Sequence, residues 1–156
     1  MRAGVVVFVC LLLIAFATHS YAQIDDSAIP VCGPEETQTL AEILREYLSL
    51  VRGISQQAGL IELDDYSNHT DAVDQLITDM NNLQIQWREK GEPQLPRCAL
   101  AVNAGTEMGG LLDEMLIAFL LLDADYAMFA DWHADPIYER SADLWTLLEQ
   151  LENRPA

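Results

Sequence analysis

Lysine is almost missing from this chain: Lys90 is the only one, and arginine supplies the other basic residues. The 156 residues include 8 Lys+Arg against 25 Asp+Glu, which gives a formal net charge of −17. A surface this acidic repels phosphate backbones and anionic lipids, so we expect no nucleic-acid partner. The hydrophobic fraction of 51% is too high for a disordered acidic tail, and the length fits one domain with one core.

Long apolar runs are missing everywhere except at the N-terminus. Residues 3–17 form an unbroken apolar run behind one positive charge, and the small residues Ser20 and Ala22 follow it. This order predicts a secretory signal peptide over residues 1–22. The alternative is an uncleaved anchor, but the run is short for a membrane span of about 20 residues. We therefore expect a secreted or periplasmic protein with no transmembrane segment after cleavage.

Cysteine is scarce as well. Of the three cysteines, Cys10 lies inside the predicted signal peptide, and Cys32 and Cys98 lie far apart without CxxC spacing. An exported chain enters an oxidising compartment, so we predict a Cys32–Cys98 disulfide. A buried pair of free thiols, an intermolecular bridge and two ligands of a metal site are the alternatives.

Catalytic and cofactor-binding motifs are missing too. The chain has no GxSxG, HExxH, P-loop, GxGxxG, CxxCH or EF-hand pattern. Outside the predicted signal peptide, His69 and His133 are the only histidines, and nothing near either supports a catalytic triad. We expect a protein that is not an enzyme and has no cofactor, and the sequence assigns no catalytic, cofactor-binding or metal-ligating residue.

Helical periodicity is what the chain does have. Apolar positions recur at steps of three and four residues, and no segment alternates with period two, so we expect no strand. The pattern predicts four helices, at about 34–58, 70–90, 97–122 and 136–152. Gly59 and Gly91 are placed to end the first two helices. Residues 23–33 form a loose lead, and 153–156 form a tail.

Short connections make consecutive helices antiparallel neighbours. Cys32 and Cys98 then lie at the same end, just before the first helix and in the first turn of the third. The prediction is an all-α, up-down bundle of four helices over residues 34–152. The fourth helix packs on a core of the first three. One disulfide, Cys32–Cys98, cross-links the bundle. A three-helix core with a ragged C-terminal hairpin is the alternative.

The third helix is apolar almost all round in its second half, from Leu111 to Leu122. A helix of this kind is usually covered on every side, so we expect it to be the central helix. Its side chains Leu116, Phe119 and Leu120 are accordingly predicted to be buried.

Glycines and aromatic residues are further candidates for a ligand-binding role. The glycines of the third helix indicate close packing or a kink, with approach of a ligand as the alternative; they are Gly105, Gly109 and Gly110. The aromatic side chains at helical spacing are predicted to belong to the core rather than to a ligand pocket; they are Trp87, Tyr126, Trp132, Tyr138 and Trp145.

Acidic groups are densest in residues 123–135. The five candidate ligands there are Asp123, Asp125, Asp131, His133 and Asp135. Carboxylates suit calcium or magnesium, and an imidazole would admit zinc or manganese. We interpret the segment as a solvated acidic turn in which Asp135 caps the fourth helix. The acidic connection around Asn68, a glycosylation sequon if the host is a eukaryote, is interpreted as a solvated loop.

Two functions remain. The leading hypothesis is an exported, non-catalytic, acidic helical-bundle domain that acts as a binding or interaction module in the cell envelope or extracellular space. Its partner would be an unknown protein or envelope component. The alternative is a protein that binds a metal, another cation or a small ligand through residues 123–135. An exposed apolar helix face would favour a protein partner, and an aromatic-lined cavity would favour a small ligand.

Overall fold

A computed structural model describes residues 30–59, 70–124 and 133–153. Four α-helices account for most of them, and these three ranges contain no strand, so the all-α prediction is confirmed. The helices are α1 (Pro34–Ala58), α2 (Thr70–Gln86), α3 (Ala99–Asp123) and α4 (Ala134–Glu152). None of these described helices is long and apolar enough to cross a bilayer. The predicted signal peptide and the connection around Asn68 lie outside the described residues.

The N-termini of α1 and α4 are set by the residues that cap or begin each helix. α1 begins at Pro34, as predicted, and the backbone N–H of Gly33 donates to Oε2 of Glu36 at 2.7 Å. This bond satisfies one of the donors that a helix N-terminus leaves free. α4 begins at Ala134, two residues earlier than predicted, with His133 at the N-cap. The prediction that Asp135 caps this helix is therefore wrong. Asp135 lies in the first turn, where its negative charge interacts favourably with the positive end of the helix dipole.

The four helices close into an antiparallel ring. The pairs that pack together are α1 with α2, α2 with α3, α3 with α4, and α4 with α1. The fourth helix thus completes the bundle, so the ragged-hairpin alternative is wrong. The Cys32–Cys98 disulfide is present, with the two Cα atoms 5.0 Å apart. Beside it the backbone N–H of Ala99 donates to the carbonyl of Pro30 at 3.0 Å.

The prediction that α3 is a central helix is wrong. Met115 and Phe119 are buried, and Leu116 packs partly buried against the core. Ile117 and Leu120, however, are 42% and 46% exposed, so the predicted burial of Leu120 fails. In a four-helix ring each helix has two adjacent neighbours, and its outer face stays in solvent. α3 occupies one corner like the others.

Candidate ligand groove on α3

A groove of about 430 Å³ runs along α3 between side chains of α2 and α4. Small residues of α3 form its floor, and larger side chains from the neighbouring elements form its walls. The residues that line it are Gln84, Trp87, Arg88, Glu92, Gly105, Thr106, Gly109, Gly110, Leu112, Asp113 and Arg140. The groove exists because this stretch of α3 presents few side chains to solvent.

The three glycines of α3 have different roles. A Cβ at Gly105 would lie 2.6 Å from Cδ1 of Leu95, and one at Gly110 would lie 2.8 Å from Cζ of Arg140. These two glycines therefore permit close packing, as predicted. A Cβ at Gly109 would have 3.9 Å to its nearest neighbour, the indole nitrogen of Trp87. Gly109 is thus the glycine that leaves the groove open.

Trp87 forms the back wall and is held rigidly. It is 2% exposed and packs edge-on against Tyr47, with ring centroids 4.9 Å apart and planes at 78°. A Cβ at Gly91 would lie 2.5 Å from Cε3 of Trp87 and 2.7 Å from Cζ of Tyr47. Both contacts are with ring atoms that cannot move independently, so glycine is required at position 91.

A change of helix type begins at Trp87. The sequence predicted a plain helix to residue 90, but α2 ends at Gln86. A π-helical turn, Trp87–Gly91, and a 3₁₀ turn, Glu92–Gln94, follow it. At this turn the N–H of Glu92 bonds to the carbonyl of Trp87, five residues back, and the hydroxyl of Tyr47 donates to the carbonyl of Gln86 at 3.0 Å. Single π turns within helices occur frequently at functional sites.

The indole N–H of Trp87 is the distinctive polar group of the groove. The side chain lines the groove, and its N–H donates to no other described residue but is open to the groove. An indole N–H can only donate, and a buried tryptophan usually finds an acceptor for it. The groove therefore presents a donor without a protein partner.

Three of the four charged residues that line the groove, Arg88, Asp113 and Arg140, have a charged partner among the described residues. Oδ1 of Asp113 accepts from Nε2 of Gln84 at 2.8 Å and from Nη2 of Arg88 at 3.3 Å. On the opposite wall, Nη1 of Arg140 donates to Oε2 of Glu107. Each of these carboxylates is thus engaged, whereas each guanidinium keeps further N–H groups for other acceptors.

The predicted aromatic core is confirmed only in part. Trp145 is partly buried against the core, and Trp87 is a core residue with one edge in the groove. Tyr138 is 76% exposed, so its assignment to the core is wrong. Tyr126 and Trp132 lie outside the described residues.

The acidic segment is only partly described. Asp123 and Asp135 are exposed at the facing ends of α3 and α4, and Asp125 and Asp131 lie outside the described ranges. Nδ1 of His133 contacts a carboxylate oxygen of Glu114 on α3, a partner outside the predicted cluster. Within residues 30–59, 70–124 and 133–153, no group of three or more His, Cys, Asp or Glu is placed to hold a metal ion.

No known family, curated protein or solved structure significantly matches the chain. Function therefore has to be inferred from the groove and from the chain's own chemistry. The groove combines a floor of small residues, a fixed aromatic wall and hydrogen-bond donors, and six of its eleven lining residues are polar or charged.

Replacing Tyr47 tests how the back wall is held. Tyr47→Phe is expected to lower the free energy of unfolding by about 1–3 kcal/mol, because the carbonyl of Gln86 loses its partner. Burial raises the pKa of the Tyr47 hydroxyl, the charge of Glu46 raises it further, and the Gly91 backbone offsets part of the change. Since this pKa lies above that of the unfolded chain, about 10, the fold favours the neutral phenol.

This stabilisation is complete below about pH 10 and is lost as the pH rises through the folded-state pKa. Urea unfolding between about pH 8 and pH 11 should therefore show a steeper alkaline loss of stability in the wild type than in Tyr47→Phe. Parallel pH profiles for the two proteins would contradict this account.

Proposed function

We propose that the chain is an exported, non-catalytic binding module and that the groove on α3 holds its ligand. The observation that carries the proposal is the indole N–H of Trp87, a donor on a side chain that is 2% exposed and lines the groove. No side-chain nitrogen or oxygen of the described residues is both buried and unpartnered, so this N–H reaches the solvent that fills the groove. A ligand that accepts this bond in place of water gains affinity and a fixed orientation.

A binding role fits the groove better than catalysis. Thr106 is the one hydroxyl-bearing residue among the described residues of the lining, and its Oγ1 donates to the carbonyl of Val102 at 3.1 Å rather than to a side-chain base. Among the described residues, no histidine or cysteine lines the groove. The groove supplies hydrogen bonds and shape, without the paired nucleophile and base that covalent catalysis needs.

The groove is also a better candidate for a binding site than the exposed apolar residues of α3, because its walls are already ordered. Ile117 and Leu120 are about half exposed, and nothing in the structure indicates what would cover them. In the groove, by contrast, Trp87 is locked by Tyr47 and Gly91, and the floor is backbone. Walls that are already ordered reduce the entropy lost on binding.

Export is supported by the N-terminal pattern and by the disulfide. A bond between Cys32 and Cys98 persists in oxidising compartments and is rare in the cytosol. N-terminal sequencing of the protein recovered outside the cytoplasm should read from Gln23. A mature chain that still begins at Met1 would contradict signal cleavage.

Two glycine substitutions test whether the groove is open. Gly109→Ala and Gly53→Ala are each expected to raise the free energy of unfolding by about 0.5–1 kcal/mol, because alanine favours the helix interior. A Cβ at Gly109 has 3.9 Å of clearance, and a Cβ at Gly53 meets nothing within 4 Å. Urea unfolding of both variants measures the change. A loss of stability in Gly109→Ala alone would show that position 109 is tightly packed and that the groove is closed.

Larger side chains at the same two positions test the function. Gly109→Met should fill the groove, whereas the matched control Gly53→Met fills a separate depression between α1 and α2. The indole N–H resonance of Trp87, assigned with Trp87→Phe, reports on binding. Probes are amino acids, neutral sugars, alkylamines, short carboxylic acids and tripeptides.

The expected result is that at least one class of probe shifts the Trp87 resonance in the wild type and in Gly53→Met but not in Gly109→Met. If no class shifts it in the wild type, or if Gly109→Met responds as the wild type does, the groove is not a ligand site.

A further inference from the structure

We infer that the groove binds a ligand through a carboxylate group, held between the indole N–H of Trp87 and the guanidinium of Arg140. The inference rests on the proposed function, since it names the class of ligand for the same site. It follows from where the two donors lie and from which polar groups of the groove are already engaged.

The two donors border one turn of α3. The Trp87 indole nitrogen is 3.9 Å from the position of a Cβ at Gly109, and the guanidinium of Arg140 lies against Gly110, with Cζ and Nη1 each 2.8 Å from the position of a Cβ there. Gly109 and Gly110 are consecutive, so their Cα atoms are about 3.8 Å apart. Arg140 fills the space beside Gly110, so a ligand enters over Gly109, and both donors line the groove that it enters.

The unused hydrogen-bonding capacity of Trp87 and Arg140 consists of donors. The Trp87 N–H has no acceptor among the described residues. Arg140 uses Nη1 for Glu107, which leaves N–H groups on a planar fork that matches a carboxylate. Asp113, which also lines the groove, already accepts from Gln84 and Arg88. A ligand that fits these walls must bring acceptors, and a carboxylate brings two oxygens and a matching charge.

Glu92 is the group that opposes this ligand. It lines the groove, and its carboxylate has no partner among the described residues. The net charge of −17 also repels anions at long range. Selection of an anion by so acidic a protein therefore depends on the local donors, and removal of the Glu92 charge should strengthen binding.

Matched probes separate carboxylate recognition from other binding. The experiment titrates acetate, N-acetylglycine, N-acetylglycinamide, N-acetyl-trialanine, propylamine and glucose into the protein and follows the Trp87 indole and Arg140 Nε–H resonances. The acids should shift both resonances, and the amide, the amine and glucose should not. Tighter binding of N-acetyl-trialanine than of acetate would identify a peptide chain end as the source, and equal binding would identify a small acid.

Three charge variants complete the test. Arg140→Gln should weaken binding of the acids about tenfold or more, because it removes a charged donor. Glu92→Gln should strengthen it about two- to fivefold. Arg45→Gln is the control, since Arg45 forms a similar partly exposed pair with Glu152 at 2.8 Å away from the groove, and it should leave the affinity unchanged.

The outcomes distinguish this inference from the proposed function. If the amide, glucose or the amine shifts the Trp87 resonance and the acids do not, the groove is a ligand site and the carboxylate inference is wrong. Equal weakening by Arg140→Gln and Arg45→Gln would also overturn it, because the effect would then be general electrostatics. If no probe of any class moves the Trp87 resonance, the proposed function fails as well.

Discussion

Phe119→Ala is expected to lower the free energy of unfolding by about 3–5 kcal/mol, whereas Leu120→Ala should change it by less than about 1 kcal/mol. The two residues are adjacent in α3, but Phe119 is 7% exposed and Leu120 is 46% exposed. Truncation of a buried phenylalanine loses its transfer free energy and leaves a cavity. Truncation of Leu120 removes few packing contacts, because nearly half of this side chain is already in contact with water.

Urea unfolding of both variants measures this contrast, and unchanged circular dichroism is the control for an intact fold. Equal large losses for Phe119→Ala and Leu120→Ala would show that α3 is covered on both faces, as the sequence predicted. A loss below about 1 kcal/mol for Phe119→Ala would show that this part of α3 is not packed into the core.

The periodic spacing of apolar residues was sufficient to predict the helices. α1 has the predicted bounds, 34–58, and proline at its first position fixes the start by local chemistry. Gly59 follows its end in a right-handed conformation that other residues also adopt, so glycine is not required there. The stretch around Ile117 was misjudged for a physical reason. The sequence shows which side chains of a helix are apolar enough to be buried. Which of them are buried depends on how many helices pack around it, and in this bundle the outer face of α3 has no neighbour.

The candidate site could be predicted only as a cluster of glycines on α3. Its walls depend on contacts that no local pattern carries. Tyr47 reaches the carbonyl of Gln86 from 39 positions earlier in the chain, and Arg140 reaches Gly110 from the next helix. The π turn is stabilised by the first of these contacts, so a periodicity of 3.6 residues could not indicate it.

Loss of the Cys32–Cys98 cross-link is the second large effect. Cys32→Ala/Cys98→Ala is expected to lower the free energy of unfolding by about 2–5 kcal/mol, as removal of a native disulfide from a small secreted domain typically does. The cysteines are 66 positions apart, and a loop of that length contributes about 4 kcal/mol in the chain-entropy account. Because Cys98 is fully buried, alanine also leaves a small cavity there.

Reduction of the wild type separates the cross-link from the cavity. Dithiothreitol should destabilise the wild type by a similar amount and leave the double variant unchanged. Amide exchange should accelerate first at the start of α3, where the Ala99 N–H bonds to Pro30 and the cross-link holds both segments. Alkylatable thiols in the unreduced exported protein, or a loss below about 1 kcal/mol in the double variant, would contradict a stabilising disulfide, because closing so long a loop should restrict the unfolded chain far more than that.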